Sequence, residues 1–112
     1  MKQRRYDINS PAELLATLVV MFPAFASEFD DEDGEPATYH EVIRQLTPVI
    51  TTYLRDTPTQ VEAFCNLVNA LVCAGGDKEN AISTCLLEHA SQVKVRNTIR
   101  PYLSSAAKQE LR

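Results

Sequence analysis

The residues most able to do chemistry in this chain begin at His40 and Glu41. A His-Glu-x-x-His helix holds zinc with two imidazoles and places a general base beside it. Here His40-Glu41-Val42-Ile43-Arg44 puts Arg44 where the second imidazole is needed, so the metal would lack a ligand. His40 therefore reads as a polar residue in the first turn of a helix. Cys85 and His89 stand at a spacing that shares a helical face, as do Cys65 and Cys73, but no Cys-x-x-Cys pair of the kind that builds a structural zinc site occurs. The three cysteines lie in apolar surroundings and are expected as reduced thiols packed in the core of a cytoplasmic protein.

An acidic stretch around Gly34 invites comparison with a calcium loop. With Gly34 at the sixth loop position, Phe29 and His40 fall at the first and twelfth, where carboxylates are required. That excludes an EF-hand. Neither His accompanies a Ser or Cys nucleophile motif, and G-x-S-x-G is absent. Gly75-Gly76 is followed by Asp77 rather than by the Lys-Ser/Thr of a phosphate loop. No catalytic residue, metal ligand or cofactor is expected, and the chain reads as a binding protein rather than an enzyme.

Charge narrows the partner. The formal charge of −4 opposes general nucleic-acid binding, which depends on neutralising phosphates with Lys and Arg. No Lys or Arg lies between Tyr6 and Ile43, whereas Glu28, Asp30, Asp31, Glu32, Asp33 and Glu35 crowd one short stretch. From Lys94 onward the balance reverses, with Arg96, Arg100, Lys108 and Arg112 against Glu110 alone. An acidic run of this kind is either a solvated loop or a docking surface for a basic partner.

The elements that must carry these residues are helical. Ser10, Pro11 and Glu13 form a start signal, and Leu14, Leu15, Leu18, Val19 and Phe22 follow at helical spacing. Pro23 is expected to end or kink this helix, with Phe25 and Phe29 in a second short piece. Asp30 to Pro36 has no apolar periodicity and reads as an exposed acidic loop near 30–37. Thr38 and Glu41 open a helix with Val42, Ile43, Leu46, Val49, Ile50, Tyr53 and Leu54 on one face. Pro48 inside it predicts a kink or short break near Thr47. Thr57-Pro58-Thr59-Gln60 starts the next helix, through Val61, Phe64, Cys65, Leu67, Val68, Leu71 and Val72, and Gly75 stops it. Asp77 is expected to cap a fourth helix holding Ala81, Ile82, Cys85, Leu86 and His89, as the antiparallel neighbour of the third. Ser91 is expected to cap a short helix through Val93, Arg96 and Ile99, and Ser104 or Ser105 a final turn or two.

No segment alternates as a half-buried strand does. A chain of 112 residues with 45% hydrophobic composition can bury one core without metals or disulfides. The prediction is a single all-α domain over residues 1–112, a compact bundle of about five or six short helices, with stacked helical hairpins as one arrangement. Lys2, Arg4 and Arg5 ahead of an apolar run ending in Ala24-Phe25-Ala26 offer a signal-peptide reading. Asp7, Glu13, Pro23 and the helix start at Ser10 oppose it, and the run is too short to span a bilayer.

Phe22-Pro23 followed by an acidic, Gly-containing loop, Leu86-Leu87-Glu88 late in the fourth helix, and Ile99-Arg100-Pro101-Tyr102-Leu103 near the end together resemble a known pattern. It is that of a loosely defined family of small, all-helical, largely uncharacterised bacterial proteins, some of which act as toxin-immunity proteins. The resemblance implies no catalytic residues. It implies a cytoplasmic protein that masks the active site of a cognate toxin, and many such toxins are nucleases with basic clefts. On that reading Glu28, Asp30, Asp31, Glu32, Asp33 and Glu35 face the basic toxin domain, with Tyr39 and Phe29 as apolar anchors at the edges. The simpler alternative makes the loop solvated and Phe29 part of the core. The alternative function is a helical regulatory or adaptor module that meets nucleic acid through Lys94, Arg96 and Arg100 along one side of a helix. Short apolar helix faces also leave room for a homodimer.

Overall fold

The computed structural model describes residues 6–30 and 35–112, and among them every regular element is helical. Seven α-helices run in chain order: α1 Pro11–Met21, α2 Phe25–Glu28, α3 Tyr39–Asp56, α4 Val61–Ala74, α5 Gly76–Cys85, α6 Arg96–Ile99 and α7 Ser105–Glu110. Short 3-10 turns at Pro58–Gln60, Leu87–His89 and Arg100–Tyr102 link them. The bundle is all-α, as the periodicity predicts. Its Cα radius of gyration of 12.8 Å compares with roughly 13 Å for a compact chain of this length.

Helix starts follow local chemistry. Ser10 Oγ accepts the Glu13 N–H at 3.1 Å, and the Glu13 carboxylate accepts the Asn9 N–H at 2.8 Å. Thr38 repeats the device, accepting from Glu41 N at 3.0 Å while Glu41 accepts from Ala37 N at 2.9 Å. Each pair quiets backbone donors that a helix leaves unpaired at its first turn.

Three expectations need correction. α3 runs unbroken through Pro48, so of the kink or break expected near Thr47 the break does not occur. The buried Thr47 hydroxyl at this point bonds both Ile43 O and Cys85 O at 2.8 Å, which ties the Pro48 turn to the end of α5. The fourth long helix is capped by Gly75 rather than Asp77, because Gly75 and Gly76 both take positive φ, at 69° and 59°. It ends at Cys85, so His89 lies beyond it in a 3-10 turn. The helix expected from Ser91 begins only at Arg96. Residues before it instead form a turn in which Lys94 takes φ 63°, Ser91 N and Oγ both bond Arg112 O, and Arg112 N bonds Leu87 O. These contacts seat the C-terminal residues against the turn and use up Ser91 as a cap.

One continuous core joins these elements. α5 lies against both α3 and α4, α1 packs on α3, and α4 also meets α6 and α7. The break at Pro23 lets Phe22 and Phe25 point into the same interior. Phe22 stacks on Tyr53 with centroids 5.4 Å apart and meets Phe64 edge-on at 5.9 Å. Phe25 meets Phe29 and Tyr53 edge-on at 5.8 and 6.3 Å. Aromatic geometry of this kind adds about 0.5–1.5 kcal/mol per pair beyond burial, so this cluster is where α1, α2, α3 and α4 are pinned together. No described helix is long and apolar enough to cross a membrane.

Candidate functional site

Glu28, Asp30 and Glu35 are exposed, while Asp31, Glu32, Asp33 and Gly34 lie outside the described residues. The segment is anchored at both ends. On the entry side Phe29 is buried beneath Phe25, which removes it as an exposed anchor and makes it core. Asp30 is held by its backbone: its N–H donates to Gln45 Oε1 at 2.7 Å, and the Gln45 amide donates back to Asp30 O at 3.0 Å. On the exit side Pro36 is buried, and Ala37 and Thr38 are taken up in the α3 cap.

These contacts hold Asp30 and Ala37, on either side of residues 31–34, against α3. The Glu28 carboxylate acts on Tyr53 near the helix's end, Asp30 is fastened to Gln45, and the chain re-enters α3 at Tyr39. Tyr39 and Tyr53 are fourteen residues apart on that helix, a span of about 21 Å at the usual rise. Tyr39 is half-buried against the core. Its phenol is pushed up by burial, and further by the carboxylates of Glu13 and Asp77. Those two acids come from the first turns of α1 and α5, so the fold adds negative charge beside Tyr39 that no linear stretch contains. Neither acid carried a local signal beyond its place at a helix start, and Gln45 carried none.

Among the described residues the one ion pair is the exposed Arg55–Asp56 contact at 3.4 Å. Glu28, Asp30, Glu35 and Asp77 are therefore left without a cationic partner there, and Arg44, exposed on α3, is not paired with any of them. Exposed carboxylates held in no ion pair contribute negative potential that attracts cationic surfaces from beyond contact distance.

Other candidates are dispersed. His89 is exposed and its ring nitrogen lies 2.9 Å from Gln92 Oε1, so it no longer shares a helical face with Cys85. No group of three or more His, Cys, Asp or Glu able to hold a metal exists among the described residues. Cys65 is buried, with its thiol pushed up to about 12 by burial and by Glu62. Cys85 is half-buried, but Cys73 is exposed, contrary to the expectation that all three pack in the core. Helix α4 turns Cys73 outward because the inward face is taken by Leu71 and Val72. All three are free thiols. Arg96 and Arg100 stand one turn apart, with Arg100 N bonded to Arg96 O, while Lys94 lies in the preceding turn at φ 63°, so the three do not together line one side of a helix. Val20 and Tyr102 are the exposed large hydrophobic side chains among the described residues, which leaves little apolar helix surface uncovered.

Compared with protein-family models, with curated proteins and with solved structures, the chain matches none of them.

Proposed function

We propose that this protein is a cytoplasmic binding protein, not an enzyme, and that it neutralises a basic toxin domain by covering its active site with the acidic flank of α3. The observation that carries this reading is the row of exposed carboxylates at Glu28, Asp30 and Glu35, unpaired among the described residues and joined at Tyr39 by Glu13 and Asp77. A nuclease-like toxin presents a cationic cleft shaped for phosphates. Carboxylates held along a rigid helix answer that cleft, and Tyr39 supplies a half-buried ring of the type enriched at interface centres. Long-range attraction speeds association and makes it sensitive to salt. The resemblance in the Phe22-Pro23, Leu86-Leu87-Glu88 and Ile99 to Leu103 segments supports the same reading.

The test is affinity capture with the tagged full chain, co-expressed with the products of its flanking genes and washed at low and high salt. One basic, stoichiometric partner is expected. Its retention should fall when Glu28, Asp30, Asp31, Glu32, Asp33 and Glu35 are changed to their amides. A stoichiometric partner indifferent to those changes would sink the acidic surface, and recovery of nucleic acid would favour the regulatory or adaptor alternative.

A further inference from the structure

We draw no further inference here: the strongest candidate, the surface depression at the turn before α6 bordered by Ser91, Lys94, Arg96 and Asn97, rests on two cations beside the start of a four-residue helix, and nothing in the structure shows what covers it.

Discussion

Tyr53 offers the sharpest test of the packing. Its ring is held by stacking on Phe22 and by an edge contact with Phe25, yet its hydroxyl oxygen is buried without a hydrogen-bond partner among the described residues. A buried hydroxyl stripped of water and left unpaired costs about 1–3 kcal/mol. Tyr53→Phe removes the orphaned group and keeps both ring contacts, so the only offset is the small void where the oxygen stood. The expected outcome is a gain of about 1 kcal/mol. In a domain of this size that raises the melting temperature by roughly 4 °C. Urea unfolding at neutral pH should show a higher midpoint with an unchanged slope.

Alkaline titration adds an independent readout for the same residue. Burial, and secondarily Glu28, raises the phenol above its ordinary value of 10.0. Above that pH the unfolded chain releases the proton while the folded chain still holds it, so the native protein loses stability as pH rises toward the raised value. Tyr53→Phe should remove that share of the alkaline loss. A variant that is less stable by more than about 0.5 kcal/mol, with an undiminished alkaline limb, would refute the reasoning and mean that the hydroxyl is satisfied in solution.

Two further outcomes follow from the backbone and the thiols. Lys94 is exposed and left-handed at φ 63°, a conformation that costs an L-residue about 1 kcal/mol, so Lys94→Gly should stabilise the fold by about 0.5–1 kcal/mol in the same urea assay; a loss of stability would show that the turn depends on the lysine side chain. With a coloured disulfide reagent at neutral pH, the exposed Cys73 should react first and the half-buried Cys85 more slowly. Cys65, buried with its thiol near 12, should react only as the chain unfolds, and labelling it as fast as Cys73 would contradict the packing of α4.

The helices themselves were legible because their causes are local. Ser10 with Glu13 and Thr38 with Glu41 cap where their types predict, and the apolar faces of α1, α3 and α4 are the buried ones. Local chemistry was less sure where long-range contacts compete with it. Pro48 reads as a kink or a short break, and burial of Ile43, Leu46, Thr47 and Ile50 on one face keeps α3 unbroken across it. Ser91 reads as a cap, but its N–H and hydroxyl are taken by Arg112, far along the chain.

Surfaces divide the same way. The run of carboxylates from Glu28 to Glu35 is visible as composition, and Phe29 reads equally well as anchor or core until its contact with Phe25 is known. Only tertiary structure brings Glu13 and Asp77 to Tyr39, ties Asp30 to Gln45, and sets Tyr6, Asn66 and Tyr102 around one open groove. Caps and periodicity act over one or two turns and are written in neighbouring residues. Charge clusters and grooves depend on which helix faces meet, and that is decided by packing the whole core at once.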